Sequence, residues 1–323
     1  MLYDAFGRRF EYLRLSVTDL CNFRCNYCLP NGNDCNAGKN ELSLFEIETL
    51  LHAFSLLGTS KIRITGGEPT LRKDLCDIIA IAASTSGIKK VAMTSNAFNL
   101  PKTLPKYIKS GLSALNISAD SLNPYQFRAI TGKQKLHSVL DTIDLALDSG
   151  LDNVKINTVL MKQYNLDQWE QFLAFTKDKE VTWRFIELMR TGDNSDFHRS
   201  QHVSGQVLQN RLIEQGWKKT QKEANAGPAD EYSHPDYTGK IGLIMPYSEE
   251  FCKSCNRLRV SSTGNLHLCL FASSASSLRD NLCRGDIVGT KEQIEALLQY
   301  KRETHLLHHD NSGMTKNLAM LGG

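Results

Sequence analysis

The sequence lacks any apolar run near the roughly 20 residues that a membrane span requires, so no transmembrane segment is expected. Residues 1–10 carry no apolar core of the signal-peptide kind, and a cytoplasmic protein is the expectation. Strong charge is missing too. A formal net charge of +3 over 323 residues gives no argument for nucleic acid or a membrane surface, though it leaves room for a local basic pocket. There is no internal repeat and no low-complexity tract. A disulfide framework is not expected in such a compartment, so the nine cysteines need another explanation. Six of them fall into two close sets, which points to metal. Cys35, Cys76 and Cys283 stand alone; Cys76 sits in a helical apolar pattern and reads as core.

The chain is long enough to bury a large core, and 41% hydrophobic with 23% charged residues is ordinary for a soluble globular protein. Strand patterns fall at 12–18, 61–65, 90–94, 114–118, 153–160 and 182–187. Helical patterns fall at 44–57, 73–84, 104–110, 138–149 and 166–177. Six strands alternating with helices predict a parallel sheet. Six units are too few for a closed eight-fold barrel. The expected fold is therefore α/β: an incomplete, open six-stranded parallel (β/α) barrel over residues 1–192. A C-terminal region, 193–323, would close the open side. Polar or glycine-bearing motifs follow the strands (Asp19 onward, Gly66-Gly67, Ser95-Asn96, Ala119-Asp120, Leu188-Met189). In parallel barrels the chemistry lies at those strand ends. Residues 193–202 and 224–239 read as loops.

Cys21, Cys25 and Cys28 form a C-x-x-x-C-x-x-C loop directly after the first strand. Three thiolates on one short loop can hold a four-iron cluster and leave its fourth iron open. Zinc with a distant fourth ligand is the competing reading. Gly66-Gly67-Glu68-Pro69 alone would be a turn; behind a strand and near these cysteines, it reads as backbone that approaches a ligand. The second set is Cys252, Cys255 and Cys269. It admits either a second cluster or structural zinc with His267 as fourth ligand. Arg257 and Arg259 follow at period two and would share one strand face. Such a pair is either a solvated basic face or a seat for phosphate.

The C-x-x-x-C-x-x-C loop with Gly66-Gly67-Glu68-Pro69 resembles the radical S-adenosylmethionine superfamily. Both cysteine sets, residues 13–19 (LRLSVTD), 63–69 (RITGGEP), 184–187 (RFIE) and the terminal Gly322-Gly323 together resemble its GTP 3′,8-cyclase family. The resemblance covers nearly the whole chain. It implies two [4Fe-4S] clusters on Cys21, Cys25, Cys28 and on Cys252, Cys255, Cys269, with S-adenosylmethionine on the open iron of the first. It implies cyclisation of GTP to (8S)-3′,8-cyclo-7,8-dihydroguanosine 5′-triphosphate, the first step of molybdenum cofactor biosynthesis. Tyr27, Gly67, Ser118 and Met189 correspond to residues around S-adenosylmethionine. Arg14, Arg63, Thr94, Lys155, Arg257 and Arg259 correspond to residues around GTP, and Gly322 with Gly323 reaches the active site to arrange Arg14. An electron donor, a homodimer, and transfer of product to cyclic pyranopterin monophosphate synthase are further implications. Two segments depart from the family pattern: Ser95-Asn96-Ala97 stands for Thr-Asn-Gly, and Ala119-Asp120-Ser121 for Leu-Asp-Ala. The alternative enzyme is a radical S-adenosylmethionine enzyme that modifies a peptide with an auxiliary cluster. Such enzymes carry more C-terminal cysteines and not the Arg257/Arg259 pair.

Overall fold

The structure is a computed structural model that describes residues 1–222, 226–305, 307 and 311–322. Six strands come first: β1 (Tyr12–Ser16), β2 (Lys61–Thr65), β3 (Lys90–Ser95), β4 (Ala114–Ser118), β5 (Asn153–Leu160) and β6 (Thr182–Glu187). Between them lie α1 (Leu44–Leu56), α2 (Leu75–Ser84), α3 (Leu100–Lys109), α4 (Pro124–Thr131), α5 (Leu136–Asp148) and α6 (Trp169–Lys177). The chain then forms α7 (Ser195–Gln201), α8 (Gln206–Glu214), β7 (Lys218–Lys219), β8 (Asp230–Ser233), β9 (Lys240–Ile244), β10 (Arg257–Val260), β11 (Asn265–His267), β12 (Ser276–Ser277), α9 (Arg279–Cys283) and α10 (Ile287–Leu298).

The six expected strands pair in sequence and in parallel, as an open, partial barrel. The C-terminal region continues their sheet. β10 joins β1 and β9 joins β6, both in parallel, and antiparallel β11–β12 and β8–β7 finish the two edges. Pairing among the described strands is linear, so the sheet does not close. Outside it, α9 and α10 pack on α1. No helix among the described residues is long and apolar enough to cross a membrane.

The strands alternate. On β1, Leu13 and Leu15 are fully buried in the main core, and on β10 so are Leu258 and Val260. Tyr12, Arg14, Arg257 and Arg259 occupy the intervening positions and so face the concave side. A parallel strand covered on both faces is usually apolar throughout. Here one face is apolar and the other is polar and cationic, which marks the concave side as the place for chemistry. A second, smaller core lies beside that side: Tyr27, Met161, Leu188, Met189, Phe271, Leu318 and Leu321.

The sequence reading missed several elements, α4, α7 and β8 among them. α4 opens with Asn123 as N-cap and Pro124 at its first position, and ends at Gly132 with φ +72°. The Asn-Pro pair reads as a turn, yet it is also a helix start. Residues 193–202, read as a loop, contain α7, and 224–239 contains β8. Ser43 closes a capping box with Glu46 at the start of α1, a pattern that is legible.

Trp183 on β6 is fully buried between Phe172 and Phe175, at ring distances of 5.0 and 5.1 Å. Its Nε1 donates to Thr158 Oγ1 at 2.8 Å. Trp183→Ala is expected to cost about 3–5 kcal/mol, read from the denaturant midpoint at constant slope.

Candidate active site

Two cavities open at the C-terminal ends of the strands. The first, about 920 Å³, is lined by Cys21, Cys25 and Cys28 together with Tyr27, Gly67, Thr94, Ser118, Met189 and Gly322. The second, about 930 Å³, is lined by Cys252, Cys255 and Cys269 with Tyr12, Arg14, Arg184, Arg257 and Arg259. Asn157, Ile186 and Met189 line both, so the cavities adjoin across a thin wall.

The first cysteine loop is held by the end of β2. Gly67 N donates to Thr18 O at 2.8 Å and Glu68 N to Leu20 O at 2.7 Å. A Cβ on Gly67 would stand 2.2 Å from the Leu20 carbonyl oxygen, so only glycine permits this approach. Glu68 is fully buried. Its carboxylate accepts from Thr70 Oγ1 (2.6 Å), Ser95 Oγ (2.8 Å) and Asn96 N (2.7 Å), which ties β2 to β3. Asn96 Nδ2 then donates to Asn22 Oδ1 at 2.7 Å, inside the cysteine loop. Ala97, where the family pattern has glycine, takes φ +60°. Tyr27 donates to Asp120 Oδ2 at 2.9 Å, and Asn194 Nδ2 bridges the carbonyls of Tyr27 and Met189 at 2.9 and 3.0 Å.

In the second cavity the cations are set by strand register. Arg259, Arg14 and Arg63 are direct neighbours across β10, β1 and β2, and Arg257, Tyr12 and Lys61 form the next row. Like charges placed opposite each other in a sheet repel. Burial and then Arg259, Arg63 and Arg257 hold the Arg14 guanidinium well below its ordinary value. Burial and then Arg257 bring Arg259 to about 10. Burial raises the Tyr12 phenol, but Arg63, Arg14, Lys61 and Arg257 outweigh it and bring it down to about 7. Arg259 Nη1 is buried with no hydrogen-bond partner. Such a set suits a polyanion.

Of the residues expected around a nucleotide, the structure gathers Arg14, Arg257 and Arg259 in the second cavity and sets Thr94 in the first. Arg63 is tied to Tyr12 Oη (2.6 Å), Met93 O (3.2 Å) and Thr94 Oγ1 (3.3 Å). Lys155 donates to Glu231 Oε1 at 2.7 Å. Two residues escaped the sequence reading. Arg184, buried and bonded to Asn157 Oδ1 at 2.8 Å, lines the second cavity. Asp120, buried, lines the first. Both stood in motifs that were noted, and their period-two placement facing the lumen was the available signal.

Gly322 has φ +60°, and a Cβ there would lie 2.0 Å from Thr65 Oγ1. Its carbonyl oxygen accepts from Arg14 Nη2. Gly323 lies outside the described residues.

Neither cysteine trio, nor any other three His, Cys, Asp or Glu among the described residues, converges on a point where one metal ion would sit. His267 pairs with Arg259 across β10 and β11 and does not line the second cavity with the cysteines. Burial and Arg259 hold its imidazole at about 4. The three thiols of the first set share one cavity. Burial, before any other influence, pushes Cys21 up to about 11 and Cys28 up to about 12. Three buried thiolates need cationic charge among them, and a cluster spreads its ligands over several irons. The donor sets therefore fit four-iron clusters.

Two family models match: the Radical SAM superfamily over residues 15–176 and Molybdenum Cofactor Synthesis C over 181–307. A GTP 3′,8-cyclase of Yersinia pestis is 49% identical over 329 residues, covering 100% of this chain and 99% of that protein. One from Actinobacillus pleuropneumoniae serotype 5b is 50% identical over 324 residues, covering 100% of this chain and 95% of that protein. The chain belongs to the GTP 3′,8-cyclase family. It is thus a radical S-adenosylmethionine enzyme with two [4Fe-4S] clusters. Among solved structures, Streptococcus suis SuiB bound to S-adenosylmethionine superposes with a TM-score of 0.60 at 13% identity, over 97% of this chain and 77% of that one. That likeness shows the cyclase's fold alone.

Gly322→Ala is expected to undock the cyclase's tail, because a left-handed alanine costs about 1–2 kcal/mol before the clash with Thr65 is counted. Tryptic cleavage after the exposed Lys316 should then rise at least about fivefold in the full chain. An unchanged cleavage rate would mean that the tail is held elsewhere.

Proposed function

We propose that this chain converts GTP to (8S)-3′,8-cyclo-7,8-dihydroguanosine 5′-triphosphate in the two adjoining cavities, as the first step of molybdenum cofactor biosynthesis. One observation carries the reading: a cysteine trio in each cavity, with clustered arginines and the Gly322–Arg14 bond between them. The reduced first cluster, with S-adenosylmethionine bound, supplies a 5′-deoxyadenosyl radical. Cys21, Cys25 and Cys28 hold that cluster, and Tyr27, Gly67, Ser118 and Met189 shape the space beside it. Cys252, Cys255 and Cys269 hold the second. Arg257, Arg259 and Arg14 bind the triphosphate, since guanidinium forks match phosphate oxygens in pairs. Arg63, Thr94 and Lys155 complete the nucleotide's surroundings. Asn157 and Met189, common to both cavities, set the spacing between cofactor and nucleotide. Leu270, Phe271 and Leu318 exclude water from the radical's path. Gly322 and Gly323 orient Arg14 towards the substrate.

Residues 1–192 act as the radical-generating part and 193–323 as the nucleotide-binding part. An electron donor reduces the first cluster, the setting is cytoplasmic, and the enzyme works as a homodimer. Cyclic pyranopterin monophosphate synthase takes the product. The peptide-modifying alternative has a neighbour of similar fold in SuiB, of which one structure is bound to precursor peptide SuiA. A peptide gives no account of the buried arginine rows, whereas a triphosphate does.

The test is anaerobic incubation of reconstituted enzyme with S-adenosylmethionine and GTP. Cyclic product and about eight irons per chain are expected, with about four left after joint replacement of Cys21, Cys25 and Cys28. Arg257→Ala should lose at least about tenfold in kcat/KM for GTP at unchanged iron content, the worth of one charged hydrogen bond. Unchanged GTP kinetics in that variant, or a zinc-loaded second site with full activity, would sink the assignment. Deleting Gly322 and Gly323 should abolish product while leaving both clusters in place. Wild-type product from the truncated chain would remove the tail from the mechanism.

A further inference from the structure

Cys252, Cys255 and Cys269 line two cavities, one on each side. The inner one holds Arg257 and Arg259. The outer one, about 1120 Å³, is lined by Arg8 and Lys301. Arg8 is neutralised by Asp4 at 2.7 Å, and its Nη1 donates to Cys252 O at 3.0 Å. Lys301 is different. It is 5% exposed, its Nζ donates to the carbonyl oxygen of Leu268 next to Cys269, and it lies 5.4 Å from the Phe10 ring centroid. No carboxylate is among its described partners. A buried ammonium without a counter-charge is costly, so its balance has to come from elsewhere. Cys255 and Cys269 line the same cavity as Lys301, whereas Glu303 there is exposed to solvent.

We propose that Lys301 is a positioning residue that balances the charge of the second cluster from its outer side. Arg257 and Arg259 are thereby left to the anion in the inner cavity. The inference rests on the reading of Cys252, Cys255 and Cys269 as cluster ligands. Cluster potentials respond to net charge and to hydrogen bonding around the sulfurs, so removing this cation disfavours the added electron.

The experiment compares Lys301→Met with Lys301→Arg and wild type as anaerobically reconstituted holoenzyme, full chain. Iron and zinc are measured first. Redox titration is then followed by electron paramagnetic resonance, and the signal perturbed by S-adenosylmethionine is assigned to the first cluster. In Lys301→Met the reduction equilibrium of the second cluster should fall about tenfold, a shift of about 59 mV for one electron. The first cluster should not move, and Lys301→Arg should stay within about twofold of wild type. Selective loss of the second cluster from Lys301→Met, with retention in Lys301→Arg, also supports charge balance. An iron-loaded Lys301→Met with an unchanged second potential overturns the inference. So does loss of the cluster from both variants, since shape rather than charge would then be at work. Zinc or no metal at this site in wild type overturns the ligand reading and the inference with it. Failure to cyclise GTP with normal potentials would count against the proposed function alone and leave Lys301 in its role.

Discussion

Parallel pairing of β10 with β1 and of β1 with β2 puts Arg259, Arg14 and Arg63 side by side in one row, with Arg257 one row below. Arg63, Arg257 and Arg259 are buried, and the like charges of the row repel one another. Neighbouring strands are only about 4.8 Å apart, so the repulsion is close-range and poorly screened. A folded protein tolerates this where a ligand completes the charge balance, and much else in the structure follows from it. Tyr12 is drawn towards its phenolate because four cations surround it. Glu231 is taken up by Lys155. The Gly322 carbonyl accepts from Arg14.

The tail meets Arg14 through the Gly322 carbonyl, which carries only a partial charge. The approach has to be close, so the residue offering the carbonyl cannot have a side chain against Thr65. Leu318 and Leu321 anchor the segment in the smaller core, which fixes the glycine position.

How much of this was legible depended on whether the signal was local. The cysteine loop, the strand ends and the period-two pair Arg257/Arg259 are local patterns, and the structure places them together. The joining of β9 and β10 to opposite edges of the first six strands was not legible, because β10 meets β1 across about 245 residues and nothing in either segment encodes the partner. The same holds for Arg184. Its neighbours on β6, Trp183 and Phe185, give a clear apolar face, but only the pairing Asn157↔Arg184 reveals that the arginine reaches the second cavity. α4 was hidden for another reason: Asn123-Pro124 is a turn signal and a helix start at once.

The two cysteine trios belong to different kinds of surroundings, and the difference is electrostatic. The first cavity has the buried Asp120 carboxyl in its lining, where it accepts from Tyr27. The cavities on the two sides of Cys255 are lined by Arg257 and Arg259 within and by Lys301 without. A more negative environment disfavours adding an electron, and a cationic one favours it. An acidic lining at the first site suits a cluster that gives up an electron readily, and a cationic one at the second suits a polyanion beside it. One open sheet can carry both because its strands place the acidic end of β4 on one side of the lumen and the arginine rows of β1 and β10 on the other.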